Sequence, residues 1–125
     1  MSGSEQINAG QLISAAVLAW PGTSAAPHRF GGIEYRVGSR QLGHVHGDST
    51  ADIPLLRALR DELVAEGRAR PHRWRPDSGW VTIPLSSKAA VEEAIRLLRF
   101  GYDRAIAARE RALQRRHRSS ARQSR

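Results

Sequence analysis

The strongest constraint on the fold is a short alternating segment that runs into a two-residue turn. Apolar and charged residues alternate through Ile33, Glu34, Tyr35, Arg36 and Val37, and Gly38-Ser39 follows. A period of two is typical of a half-buried strand, and a pair of turn residues that contains glycine favours a tight hairpin. The segment therefore predicts a β-hairpin over residues 33–46.

The second arm of this hairpin carries His44 and His46, which share one face because alternate side chains on a strand point the same way. With a two-residue turn, Tyr35 faces Leu42 and Ile33 faces His44, so both histidines are expected on the apolar face. Such a pair can ligate a metal, share a proton, or act as base and hydrogen-bond donor towards a bound acid. The alternative is a pair of strand histidines satisfied by the backbone or by Tyr35.

Periodicity and turn residues divide the rest of the chain. They predict helices at residues 5–19, at about 53–66 and from about 87 onwards, strands at 72–75 and 80–85, and a loop at 23–31. The resulting order, α-ββ-α-ββ-α, predicts an α+β fold in which an antiparallel sheet of two hairpins is covered by helices. Asp52 precedes the second helix, and an N-cap role is favoured over a catalytic one.

Length and composition indicate one domain over residues 1–108 with a modest core. The absence of cysteine excludes disulfides, thiolate catalysis and cysteine-ligated metal centres. The first residues lack a basic region typical of a signal peptide, and residues 12–20 are too short to cross a membrane. A cytoplasmic protein is therefore expected.

The positive charge is concentrated at the carboxyl end. Residues 1–95 hold 10 Lys and Arg against 10 Asp and Glu, whereas residues 96–125 hold 10 Arg against two acidic residues. The apolar stripe of the last helix fades after Ala108, so residues 109–125 are predicted to be a basic helical extension or a disordered tail. Weak, nonspecific nucleic-acid binding would use Arg115, Arg116 and Arg118.

Other candidate site residues lie near the ends of the predicted strands. Asp48 and Asp52 follow the histidine pair, and His72 begins another strand, so a three-ligand His/His/Asp or His/His/His set is available. Trp80 and Tyr102 could line the pocket of an aromatic ligand or belong to the core. His28 in the predicted loop and His117 in the tail are expected to be solvated. Motifs for a P-loop, a dinucleotide fold, a nucleophile elbow or a zinc-protease helix are absent.

Several spaced motifs resemble one family. They are His44-Val-His46, a leucine-rich helix that ends at Gly67, Pro71-His72, Gly79-Trp80-Val81, and the segment from Ala94 to Tyr102. Together they resemble the luciferase-like domain family, which includes fungal luciferase and many small bacterial proteins. In fungal luciferase a hydroxylated pyrone is oxidised by molecular oxygen. By that resemblance, His44 and His46 form the polar centre of a pocket, with His72 nearby and Trp80 beside them.

From the resemblance, catalytic roles are expected for His44, His46 and His72, and a substrate contact is expected from Trp80. Further substrate contacts are expected from Tyr35, Asp48 and Tyr102. The expected ligand is a small, planar, acidic, aromatic-like molecule. Two kinds of chemistry are expected. In the first, a histidine removes a proton as a general base, and an oxygenase-like reaction follows without a cofactor. In the second, the reaction depends on a metal that His44 and His46 ligate.

Two differences from fungal luciferase argue against light emission. These 125 residues carry no long membrane-anchoring region, and residues 47–49 replace a further histidine-bearing segment. The alternative function is a module that binds nucleic acid or an acidic partner through the tail and the arginines of residues 68–75. A third reading is a scaffold whose histidines are simply packed.

Overall fold

The computed structural model describes residues 8–123, which form one antiparallel sheet and three helices. The helices are α1 (Ala9–Leu18), α2 (Arg57–Ala65) and α3 (Lys88–Gln123). The strands are β1 (Thr23–His28), β2 (Gly32–Val37), β3 (Arg40–His46), β4 (Thr50–Pro54), β5 (Arg70–Pro71) and β6 (Trp80–Pro84), with a 3₁₀ turn at Arg29–Gly31 between β1 and β2. The α+β class predicted from the sequence is confirmed.

The sheet has six strands in the order β1-β2-β3-β4-β6-β5, rather than two separate hairpins. The predicted loop at residues 23–31 is wrong because β1 pairs with β2 along its whole length. The start of the predicted second helix is also wrong. Residues 50–54 form β4, and α2 begins at Arg57. The predicted strand at residues 72–75 is reduced to an isolated bridge between His72 and Arg75.

The helices cover one face of the sheet, called here the helix face. On α1, Ala9, Ile13 and Val17 are buried at four-residue steps, as expected for a helix that packs one side. Tyr35 and Val45 from the strands join the same core, together with the buried side of α3. The helical part of the first prediction is confirmed from Ala9 onwards, whereas residues 5–7 lie outside the described part of the chain.

A β-bulge in β3 determines which face the histidines occupy. Val37 pairs with Arg40 and Arg36 with Gln41, as the turn predicts, but Tyr35 then pairs with Gly43. Leu42 is the extra residue, and an extra residue reverses the facing of everything beyond it. His44 therefore faces Glu34 instead of Ile33, and the predicted register beyond the turn is wrong.

The bulge leaves a characteristic arrangement of side chains. Leu42 is almost completely buried on the helix face, and Gly43 lies against Leu98 of α3 on that same face. His44 and His46 consequently point to the other side of the sheet, called here the histidine face. They still share one face, as their spacing predicts.

The last helix is continuous from Lys88 to Gln123, so its basic segment is helical to residue 123. Ser87 precedes it, and the Ser87 hydroxyl accepts a hydrogen bond of 3.1 Å from the backbone N–H of Ala90. This is the helix start that the sequence predicts. Within residues 8–123, no helix has both the length and the hydrophobicity that crossing a membrane requires.

We expect the substitution Gly43→Ala to destabilise the fold by about 1–3 kcal/mol, because the new methyl group has nowhere to go. Its Cβ would lie 2.8 Å from the Asp52 carbonyl oxygen and 2.9 Å from Leu98 Cδ2. Denaturant unfolding measures the change. In the matched control Gly101→Ala, the nearest neighbour is 4.0 Å from the new Cβ, and removing a helical glycine adds about 1 kcal/mol of stability. Equal stability of the two variants would contradict the role given to the bulge.

Candidate functional site

The centre of the histidine face is the carboxylate of Asp52 on β4. β4 pairs with β3 so that Asp52 stands opposite His44, and with β6 so that Asp52 also stands opposite Thr82. Asp52 Oδ2 lies 3.0 Å from His44 Nε2, 3.1 Å from His46 Nε2 and 3.8 Å from His72 Nε2. Its other oxygen, Oδ1, accepts a hydrogen bond of 2.6 Å from the Thr82 hydroxyl. Three imidazoles therefore converge on one carboxylate oxygen.

The surroundings of Asp52 keep its carboxyl group ionised. Burial raises the pKa of Asp52, but the hydrogen bonds from His44 and Thr82 and the charges of His44 and His72 outweigh it, so the pKa falls to about 2. An ionised carboxylate only accepts hydrogen bonds. The Nε2 atoms of His44 and His46 are accordingly the donors. The N-cap role that the sequence favoured for Asp52 is wrong, because Leu56 occupies that position of α2.

These donors determine which nitrogen of each ring is basic when the ring is neutral. His44 Nδ1 lies 3.2 Å from Gln41 Nε2, so the Gln41 amide can donate to it and both ring nitrogens of His44 are satisfied. His46 Nδ1 has no hydrogen-bond partner among residues 8–123, and the His46 side chain is 30% exposed. Of these two histidines, His46 is therefore the one whose Nδ1 keeps a free lone pair.

His72 is held in a different way. The backbone N–H of Trp74 donates to His72 Nδ1 at 3.3 Å, which leaves the proton of the neutral ring on Nε2. His72 Nε2 is 3.8 Å from Asp52 Oδ2, too far for a hydrogen bond. His72 thus presents a donor that no described group accepts.

His28 was predicted to be a solvated loop residue, and the structure corrects this. It ends β1, and its ring stacks on that of His44, with ring centres 4.1 Å apart and planes 20° apart. His28 Nδ1 lies 3.1 Å from Glu34 Oε1. A hydrogen bond from Arg36 lowers the pKa of Glu34. Burial acts in the opposite direction, and the hydrogen bond with His28 lowers the pKa further. The ionised Glu34 carboxylate therefore accepts hydrogen bonds from both Arg36 and His28.

These side chains line a cleft of about 510 Å³, a size suited to a small molecule. Its walls contain four histidines (His28, His44, His46 and His72), three aromatic residues (Phe30, Trp74 and Trp80), two arginines (Arg29 and Arg75) and Gln41. Phe30 and Trp74 are 92% and 71% exposed. Phe30 also has a positive φ of 58°, which is uncommon for a residue other than glycine.

Three residues that were expected to contact the substrate lie away from this cleft. Tyr35 is fully buried on the helix face, with its hydroxyl 2.5 Å from Ser14 Oγ. Tyr102 on α3 donates to the carbonyl of Pro21 at 2.7 Å. Asp48 accepts a hydrogen bond of 2.8 Å from the backbone N–H of Gly10, near the start of α1. Only Trp80 of the four lines the cleft, with its ring centre 5.5 Å from that of His44.

Within residues 8–123, the histidine face offers one set of potential metal ligands. One ligand atom from each of His44, Asp52 and His72 lies within 4.8 Å of the other two, and all three residues are buried. Two histidines and one carboxylate are the ligand set of many non-haem iron oxygenases. His72 could ligate through Nε2 only after its Nδ1 had stopped accepting from Trp74, because a neutral imidazole has one free lone pair.

We expect Asp52→Asn to lower the unfolding free energy by about 1–3 kcal/mol at pH 7, because an amide turns a donor towards Thr82 or the imidazoles. The folded-state pKa of Asp52, about 2, is below its ordinary value of 3.8. Its contribution is therefore full above about pH 4 and is lost as the pH falls towards 2. Unfolding measured across this range should show wild type and variant converging. The control is Asp61→Asn, at an exposed side chain, which should change the stability little at pH 7. A difference between wild type and Asp52→Asn that stays constant across this pH range would contradict the assignment.

Comparison with known proteins identifies the family. A family model described as the Luciferase domain matches residues 39–101, which is half of the chain. The matched segment contains His44, His46, Asp52, His72 and Trp80, whereas His28 and most of the basic part of α3 lie outside it. Neither the curated proteins nor the solved structures gave a significant match. From the match over residues 39–101, and in agreement with the spaced histidine and tryptophan motifs, the chain belongs to the luciferase-domain family.

Proposed function

We propose that the cleft on the histidine face binds a small, planar, acidic molecule and removes a proton from it. The observation that carries the proposal is the buried Asp52 carboxylate, which accepts from the Nε2 atoms of both His44 and His46. This leaves His46 Nδ1 as a basic nitrogen without a partner among the described residues. A carboxylate that orients an imidazole and stabilises its protonated form is the arrangement that makes histidine an effective general base.

The histidines have different roles in this proposal. His46 accepts the proton, and His44 is a positioning residue because both of its nitrogens are occupied by Asp52 and Gln41. His72 donates its Nε2–H to the anion that forms, since no acceptor among residues 8–123 lies within hydrogen-bond distance of His72 Nε2. Stabilising the developing negative charge in this way lowers the barrier to deprotonation.

The cleft walls support the substrate class. Phe30 and Trp74 are largely exposed and border the cleft, and Trp80 lies beside His44. Aromatic rings favour a flat, apolar ligand body by stacking. Arg29 and Arg75 line the same cleft and add positive charge that favours an acidic ligand.

The family membership extends the proposal to molecular oxygen. When the proton leaves a carbon atom, its electron pair remains as a carbanion, and that pair can form a carbon–oxygen bond to O₂. The proton held on His46 then returns to the outer oxygen, which yields a hydroperoxide. The balance is one substrate and one O₂ to one hydroperoxide, with no other oxidant.

A metal-dependent reaction is the second candidate, favoured by the ligand set of His44, Asp52 and His72. The hydrogen bond from the Trp74 N–H to His72 Nδ1 favours the proton-transfer reaction, because it keeps the neutral His72 ring protonated on Nε2. Elemental analysis of protein purified without chelators separates the two. One tightly bound first-row metal per chain that is lost in His72→Ala would overturn the proton-transfer proposal.

Direct evidence for the base can come from 7-hydroxycoumarin, a planar acidic probe whose neutral and ionised forms absorb differently. We expect wild-type protein at pH 7 to bind the probe and to shift it towards the ionised form. His46→Gln should still bind the probe but lose most of the shift towards the ionised form, because the group that accepts the proton is gone. With a true substrate, the loss of a general base lowers turnover by about 10²–10⁴-fold.

The matched control is His117→Gln on the exposed side of α3, which should behave like wild type. Circular dichroism verifies that each variant is folded. An unchanged ionised fraction in His46→Gln would contradict the role of His46. Failure of 7-hydroxycoumarin and of a 4-hydroxy-2-pyrone to bind wild-type protein would contradict the proposed ligand class.

A further inference from the structure

The part of α3 that follows Tyr102 carries its arginines in an ordered pattern. Five of them follow one another at steps of seven, four, three and four residues: Arg104, Arg111, Arg115, Arg118 and Arg122. At 3.6 residues per turn, each of these steps returns to nearly the same side of a helix. These five residues, called here the arginine stripe, form one line about 27 Å long at 1.5 Å per residue.

The other two arginines of this segment lie on a different side. Arg109 follows Arg104 by five residues, which places it about 140° round the helix. Arg109 and Arg116 line a groove with Gly38, Ser39 and Arg40 of the β2–β3 turn. The helix therefore has one basic side directed away from this groove and another that borders it.

The arginine stripe is exposed and its charge is not neutralised. All five residues are exposed, and within residues 8–123 none of them forms an ion pair with a carboxylate. Asp103 pairs with Arg99, and Glu110 is the only acidic residue from position 104 to 123. Five like charges on one line repel one another unless an anionic partner is present.

We propose that the arginine stripe binds the phosphate backbone of a nucleic-acid duplex. A duplex carries one negative charge per about 1.7 Å of its axis, so a straight line of guanidinium groups can meet several phosphates at once. Guanidinium groups also match phosphate geometry well. The inference does not depend on the chemistry proposed for the cleft, and the stripe lies outside the segment that matches the family.

Two features favour a duplex over other anionic partners. A helix that lies in a membrane surface needs an apolar side to insert, and beyond Ala108 the only large apolar residue of α3 is Leu113, which borders the groove beside Arg109. Single-strand binding uses aromatic rings on which bases stack. Beyond Tyr102, the described part of α3 contains no aromatic ring other than His117.

The test uses the full-length protein and a fluorescently labelled 24-base-pair DNA duplex of arbitrary sequence. Fluorescence anisotropy gives the dissociation constant over a range of salt concentrations. Each neutralised phosphate contributes about −0.9 to the slope of log K against log salt, so full use of the stripe gives a slope of about −4 to −5. We expect that value for the wild type.

Two double variants with equal loss of charge test the geometry. Arg115→Gln with Arg118→Gln removes two stripe residues and should reduce the slope by about 2, with affinity lowered at least several-fold. Arg109→Gln with Arg116→Gln removes two charges outside the stripe and should leave the slope nearly unchanged. Circular dichroism and thermal unfolding of all three proteins verify that α3 is intact.

Three results would overturn the inference. An equal loss in both double variants would mean that net charge, rather than the stripe, attracts DNA. Binding too weak to measure at low salt would mean that the stripe is only solvated. Tighter binding to vesicles with anionic lipid headgroups than to the duplex would assign the stripe to a membrane surface.

Discussion

The histidine face depends on one buried negative charge. Transferring a carboxylate out of water is costly unless donors surround it. Asp52 meets this condition with Thr82 on one oxygen and two imidazoles on the other. Those donors come from β3 and β6, the two strands that flank β4. The charge that orients the rings therefore also links three neighbouring strands on the histidine face.

The residues that would have an active role are distributed over elements distant in the sequence. β3 supplies His44 and His46, β4 supplies Asp52, and the short β5 leads into His72. β1 adds His28, which stacks on His44, so that four imidazoles line the cleft. The sheet brings these residues together because strands that are separate in the sequence are neighbours in it, and each places a side chain on the histidine face.

Much of the fold could be predicted, since the hairpin turn at Gly38-Ser39, the start of α3 and the α+β class each rest on local signals. The bulge could not be predicted from alternation, because Leu42 is apolar and fits either face. Gly43 was the only available signal, since a glycine inside a strand often marks a bulge. β1 has no alternating apolar residues and contains Pro27, features typical of an edge strand.

The candidate site shows the same division. The shared face of His44 and His46 follows from their spacing. The positions of His72 and Trp80 near this pair were expected from the family resemblance. The role of Asp52 was hidden because Pro54 two residues later is also typical of a helix start. His28 could be placed only once β1 was known, because its contact with His44 depends on pairing across β2.

The exposure of Phe30 and Trp74 determines the thermal signature of ligand binding. In the free protein both rings are in contact with water, although they border the most histidine-rich part of the molecule. A ligand that covers them removes apolar surface from water, and such burial gives a negative heat-capacity change. The binding enthalpy should then become more favourable on warming, whereas a ligand held only by the imidazoles and arginines would show little such dependence.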